Sequence, residues 1–256
     1  MISIRSVSTK RAMAIGAIAP LALALSACDS APEEGGAPAG EPIEAIPAPD
    51  GTSWTETVNI SEEGGYVLGN PDAPLKLVEY ASHTCSACAY FAQTGSTPLK
   101  EDYVSTGVVS YELRNLIANP VDLTIATLVR CGQPESMQVL ADQAWVQFEE
   151  VMGGVSANAE AINATGDLPL EERFVQIGEV SGLIDFFSAR GLSADQARQC
   201  LADVPNIEGI AERSQQQGQE LNLTGTPSWL LNGRKLEVNQ WADLEPVLQR
   251  AGARTE

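Results

Sequence analysis

The stretch "SHTCSACAYF", residues 82–91, sets Cys85 and Cys88 with two residues between them, beside His83, the single histidine of the chain. Such a pair serves three chemistries: a redox-active dithiol, half of a zinc site, or a structural crosslink. Upstream, "APLKLVEYAS" (73–82) follows the turn signal "GNPDAP" (69–74), and its Leu75, Leu77, Val78 and Tyr80 read as a short buried strand. Downstream, "SACAYFAQTGSTPLKEDYVSTG" (86–107) reads as a helix with a break near Pro98. The pair therefore lies where a strand hands over to a helix. The first turn of a helix presents unpaired N–H groups and the positive end of its dipole. A thiolate at Cys85 is stabilised there, so its pKa falls below that of a free thiol. Cys88 lies one turn deeper, is expected to be more buried, and suits the resolving thiol.

Working outward, "GVVSYELRNL" (107–116) reads as a second strand, and "TPSWLLNGRKLEV" (226–238) as a β-hairpin turning at Asn232-Gly233. A terminal helix, "NQWADLEPVLQRA" (239–251), follows. Residues 119–222 carry almost no strand signal. "NPVDLTIATLVRC" (119–131) opens with Asn at the N-cap and Pro at the first helical position. "ESMQVLADQAWVQFEEVM" (135–152), "LSADQARQCLAD" (192–203) and "IEGIAERSQQQGQELN" (207–222) also read as helices. The plan is strand, helix, strand, a block of helices, then hairpin and helix.

The N-terminus reads as an address. Basic Arg5, Lys10 and Arg11 precede the apolar run "AMAIGAIAPLALALSA" (12–27), which Gly16 and Pro20 interrupt and which is short for a membrane span. The run ends in Leu25-Ser26-Ala27-Cys28, which resembles a bacterial lipobox. That resemblance implies a signal peptide over residues 1–27, a lipid anchor on Cys28 and a periplasmic location. Asp29 resembles an inner-membrane retention signal. An ordinary signal peptide with a chance cysteine remains the alternative. Residues 28–57, rich in Pro, Ala, Gly and Glu, read as a flexible acidic tether. The net charge of −19 in 256 residues disfavours nucleic acid and anionic lipid headgroups as partners.

With Cys28 set aside, four cysteines remain. An even number in an exported chain suggests two disulfides, Cys85 with Cys88 and Cys131 with Cys200. Zinc needs four ligands, usually as two close pairs, and only one close pair exists, so no metal is expected. An inert Cys85–Cys88 crosslink would close a tiny loop and contribute little chain-entropy stabilisation.

Three separated features give this plan its resemblance to the DsbA-type thiol–disulfide oxidoreductases. They are Cys85-Ser86-Ala87-Cys88 at the strand–helix junction, Glu79 six residues before Cys85, and Gly225-Thr226-Pro227 just before the hairpin. The resemblance covers about residues 58–253. It implies an α/β fold: a thioredoxin fold in two parts, 58–118 and 223–256, with an inserted α-helical domain at 119–222. It implies mixed-disulfide exchange at Cys85 and Cys88 with no cofactor, introducing disulfides into reduced exported proteins. The membrane partner it implies is a quinone reductase of the DsbB type, and the chain is expected to be monomeric.

The resemblance also assigns roles to further residues. Gly225, Thr226 and Pro227 match the cis-proline loop that faces the reactive cysteine and binds substrate by strand addition, with the Thr226 hydroxyl tuning the sulfur. Glu79 matches a buried acid acting as proton relay for Cys88; the alternative is a solvent-facing or ion-paired strand residue. A protonated His83 could assist the Cys85 thiolate, or His83 is an exposed loop residue. The Cys131–Cys200 bridge is structural or modulates the site from a distance. An isomerase or reductase on the same fold, and a non-enzymatic lipid-anchored binding protein, are the competing functions.

Overall fold

The computed structural model describes residues 40–253, so Cys28 and Asp29 lie outside the described residues. The strands are β1 (Val58–Ile60), β2 (Tyr66–Leu68), β3 (Leu75–Ala81), β4 (Val109–Asn115), β5 (Ser228–Leu231) and β6 (Arg234–Leu236). Helix α1 (Ser86–Pro98) lies between β3 and β4. Between β4 and β5 come α2 (Pro120–Val129), α3 (Pro134–Val146), α4 (Phe148–Ala157), α5 (Ala159–Ala164), α6 (Leu170–Val180), α7 (Leu183–Ser188), α8 (Ala194–Ala202) and α9 (Val204–Glu220). Helix α10 (Trp241–Arg250) follows β6.

The strands form one mixed sheet in the order β1-β2-β4-β3-β5-β6. Only β3 and β4 run parallel, from Leu75 opposite Val109 to Ala81 opposite Asn115, because α1 is the crossover between them. On β3 the period of two divides the side chains. Leu75, Leu77 and Ala81 join the main core with Phe91 of α1 and Leu244 of α10, while Val78 and Tyr80 pack with Leu230 in a second cluster. Phe91 and Trp229 are almost fully buried, with ring centroids 4.5 Å apart, and fix α1 against the sheet. Burial of each such side chain is worth roughly 1.5–3 kcal/mol.

Several local signals behave as their chemistry dictates. Asn119 caps α2, its side chain accepting from the Asp122 N–H at 2.9 Å, with Pro120 at the start. Asn232 and Gly233 both have positive φ, 49° and 78°, as the two-residue turn requires. Pro98 closes α1, and the chain continues through one wider π-helical turn at Leu99–Tyr103.

Other expectations need correction. The 135–152 helix breaks at Gln147 into α3 and α4. Cys131 lies one residue past the C-cap of α2, outside any helix, whereas Cys200 is in α8. The β1–β2 hairpin had no reading from sequence; its strands are only three residues long. Over residues 40–57 the segment expected to be a free tether is laid against the domain. Gly40 and Ile43 donate backbone N–H bonds to Arg250 and Gly252, and Ile46 donates to Thr106. Trp54 is buried, and its indole donates to the Ile46 carbonyl at 2.7 Å. Gly107, at φ 73°, makes room for this segment, since a Cβ there would collide with both Ile46 and Trp54. A few apolar anchors within a polar, Pro-rich stretch suffice to order it.

Candidate active site

Cys85 ends the β3–α1 connection in extended conformation and is the N-cap of α1. Its Sγ accepts from the Cys88 N–H at 3.4 Å, as a capping side chain does. As a thiol, it also donates to the Thr226 carbonyl at 3.2 Å, across the Thr226–Pro227 peptide, which is cis. Both cysteines are free thiols in this structure; Cys85 is half-buried and Cys88 is buried. The Cys85 pKa is lowered to about 5. The Cys88 thiol contributes most, burial opposes it, and the Thr226 side chain and the N–H groups of Cys88 and Ala87 add to it. Burial pushes Cys88 far upward, with further contributions from the bond to Cys85 and from the Glu79 charge. One helical turn thus gives two chemically identical residues opposite characters.

Glu79 is 1% exposed, which removes the solvent-facing alternative. It lies opposite Trp229 and Leu113 on the neighbouring strands and accepts a hydrogen bond from the Tyr111 hydroxyl. Burial raises its pKa to about 8; the Tyr111 bond opposes this, Asp142 adds to it and Lys100 opposes it. Lys100 is paired with Asp142 and lies over the Tyr111 ring at 5.8 Å from the centroid. A carboxyl group with a pKa near neutrality is matched to taking and returning a proton.

Both readings of His83 are overturned. The ring is 1% exposed and stacks on Trp145, centroids 4.6 Å apart. Burial, with the nearby Arg130 charge, lowers its pKa to about 3, so it is neutral and lends no positive charge to Cys85. Arg130 Nε donates to Asn115 Oδ1 at 2.8 Å, which turns the Asn115 amide donor towards His83 Nε2 at 3.3 Å. We expect the single histidine to show no titration between about pH 5 and 8 by proton NMR. A midpoint near the free-imidazole value would overturn its placement.

Sequence reasoning missed the groups that hold the Ser82–Thr84 turn, and all three come from the helical block. Asp122, fully buried, accepts from the His83 N–H at 2.7 Å and the Ala118 N–H at 2.8 Å. Burial raises its pKa to about 6, opposed by the Ala118 N–H, the Ser82 side chain and the His83 N–H, with the Cys85 charge adding to the rise. The Trp145 indole donates to the Ser82 carbonyl at 3.1 Å, and the Asn119 amide donates to the Thr84 hydroxyl at 2.9 Å. Read locally, Asp122 is only an acid in the first turn of a helix, and nothing in its spacing points to Cys85. Tyr111 was legible only as an apolar position of its strand.

Cys131 and Cys200 are joined by a disulfide, Cα atoms 5.9 Å apart, tying the end of α2 to α8. Among the described residues no group of three or more His, Cys, Asp or Glu side chains forms a metal site, and no helix is long and apolar enough to cross a membrane.

The family profile described as Thioredoxin matches residues 61–250. Among curated proteins, one from Rickettsia typhi, provisionally named a protein-disulfide oxidoreductase, is 27% identical over 187 residues, covering 72% of this chain and 61% of its own length. A counterpart from Rickettsia bellii is 28% identical over 191 residues, covering 74% and 65%. The chain thus spans less than two-thirds of these relatives. Among solved structures, the protein-disulfide isomerase from Novosphingobium aromaticivorans is 29% identical with a TM-score of 0.68, covering 72% of this chain and 96% of that one. Wolbachia pipientis alpha-DsbA1, 20% identical with a TM-score of 0.58, covers 78% and 96% and shares the fold.

Proposed function

Because the chain belongs to the thioredoxin family, with an inserted helical domain like that of the DsbA structures, we propose that it is a thiol–disulfide oxidoreductase that introduces disulfides into reduced exported proteins. The observation that carries this reading is the asymmetry of the pair: a half-exposed thiol at a helix N-terminus with a pKa of about 5, backed by a buried thiol held protonated.

The exchange follows from that asymmetry. In the oxidised enzyme a substrate thiolate attacks Cys85 Sγ, the Cys85–Cys88 bond breaks, and Cys88 leaves with the electron pair. Because Cys88 cannot persist as a thiolate, it takes a proton, and Glu79, coupled to it and protonated at neutral pH, is the donor. A second substrate thiolate then attacks the substrate sulfur of the mixed disulfide, and Cys85 leaves as a thiolate. The substrate loses two electrons and the enzyme pair gains them. The Cys85 thiolate exists only in the reduced enzyme, so the donors that stabilise it favour that form and make the disulfide oxidising. The edge at Thr226 and Pro227 suits pairing with an extended substrate segment. We place the protein in the periplasm, anchored by lipid on Cys28, on the strength of the N-terminal sequence. A membrane quinone reductase of the DsbB type would restore the disulfide.

Two measurements test this. The pH profile of Cys85 alkylation is expected to have its midpoint near 5; a midpoint in the range of a free thiol sinks the mechanism. Equilibration with glutathione buffers then fixes the direction. A potential near about −120 mV is that of a disulfide donor, whereas about −270 mV is that of a reductant. The isomerase name of the Novosphingobium relative makes the second outcome the specific competitor, since an isomerase works with its pair held reduced.

A further inference from the structure

Beside Thr84, the residue before Cys85, the helical block leaves a cleft of ≈ 360 Å³ between the start of α2 and helices α4, α5 and α6. Its walls are largely apolar, with Val121, Met152, Val155 and Ile162 among them. The volume is that of a site for one or two large side chains. Arg173 of α6 also lines it. The Nε of Arg173 is buried without a hydrogen-bond partner, and among the described residues the guanidinium makes no ion pair. A buried donor left unsatisfied is costly, and in a chain of net charge −19 acidic neighbours are plentiful. A cation without an ion-pair partner among the described residues, lining an apolar-walled cleft that also reaches Thr84, is complementary to a ligand that carries its own carboxylate.

We propose that this cleft is a substrate subsite that seats an apolar side chain and an adjoining acidic side chain of the reduced polypeptide whose cysteine reacts with Cys85. The inference rests on the oxidoreductase reading and adds a substrate preference to it. A side-chain carboxylate would accept from Nε and a terminal nitrogen of Arg173 together, the forked geometry that makes arginine–carboxylate pairs strong. The apolar neighbour would displace water from the walls. Arg173 takes no part in the exchange of sulfur; it selects which cysteine arrives.

The test uses the oxidised full chain and three peptides capped at both ends, so that the only carboxylates are on side chains. Each has a central cysteine flanked on both sides by leucine and then by glutamate, glutamine or lysine. The wild type is expected to react with the glutamate peptide about tenfold faster than with the glutamine peptide, the factor for about 1.4 kcal/mol. This direction is opposite to the steering that a net charge of −19 imposes, which favours the lysine peptide. Arg173→Gln is expected to erase the preference for glutamate, Arg173→Lys to retain part of it, and Arg173→Glu to shift preference to lysine. Reduction by dithiothreitol is expected to be equally fast in all four proteins. Equal rates for glutamate and glutamine in the wild type, or a preference that survives in Arg173→Gln, would overturn the subsite while leaving the oxidoreductase reading intact. Failure of dithiothreitol to reduce the Cys85–Cys88 pair of the wild type would instead overturn the oxidoreductase reading, and the subsite with it.

Discussion

Replacing Glu79 by glutamine raises the unfolding free energy at and above pH 8 by on the order of 5 kcal/mol, and changes it little below the ordinary carboxylate range. The sign follows from the direction of the shift. Burial raises the folded-state pKa from 4.5 to about 8. Between those values the unfolded chain gives up the proton while the folded protein keeps it, so the wild type loses stability as pH rises through this window. Above it, the full penalty of holding a carboxylate in the core is present. Glutamine has nearly the same shape and can still accept the Tyr111 hydrogen bond, but it carries no charge. Chemical denaturation of both chains across this pH range, in one redox state so that thiol contributions are the same in each, should give curves that meet in acid and diverge in base. A constant offset at every pH would mean that packing, not ionisation, separates them. The same variant should slow attack on the oxidised pair, the step in which Cys88 leaves and takes its proton, and leave the later release of Cys85 from the mixed disulfide unaffected. Stability and function pull in opposite directions at this residue, as expected where a buried acid is kept for its chemistry.

Replacing both Cys131 and Cys200 by alanine should cost on the order of 4 kcal/mol in the chain-entropy model, given the sequence separation of 69 residues. For a folded region of this size that corresponds to a fall in Tm of roughly 10 °C. The bridge links the end of α2 to α8 within the helical block. The start of α2 holds Asn119 and Asp122, which fasten the turn ahead of Cys85. The bridge is at the opposite end of α2 from these contacts, so its loss should loosen the insertion and leave them, and the sulfur chemistry, in place. Calorimetry of the double variant beside the wild type measures the cost. A loss below about 1 kcal/mol would mean that the unfolded chain is already restricted by other contacts.

The parts of this protein legible from sequence are those governed by short-range chemistry. Alternation along Leu75–Ala81, the cap at Asn119-Pro120 and the turn at Asn232-Gly233 each depend on neighbours a few residues away, and each is found in the structure. The placement of Cys85 at the start of α1 belongs to the same class, because strand-to-helix handover is a local event. The short β1–β2 hairpin and the break at Gln147 lay below that threshold. Three residues per strand carry too little periodicity, and a helical pattern passes through Gln147 uninterrupted.

The site itself divides along the same line. Cys85 and Cys88 could be picked out by type and spacing, and Glu79 and Thr226-Pro227 by the resemblance to the DsbA-type oxidoreductases. Their protonation could not, because a pKa is set by burial and by charges that arrive from elsewhere in the chain. His83 stands beside Cys85 in sequence, yet the Trp145 ring and the Arg130 charge make it neutral. Asp122 is 37 positions beyond Cys85 in the chain, yet it holds the turn that leads into it. The order of residues 40–57 likewise comes from Trp54 and Gly107 meeting across the fold, which composition alone does not reveal. Composition, spacing and periodicity gave most of the order of elements and singled out the Cys85–Cys88 pair. Desolvation and hydrogen bonds between distant segments arise only when the helical block packs against the sheet, and these set which of the two sulfurs favours the thiolate and which acid keeps its proton.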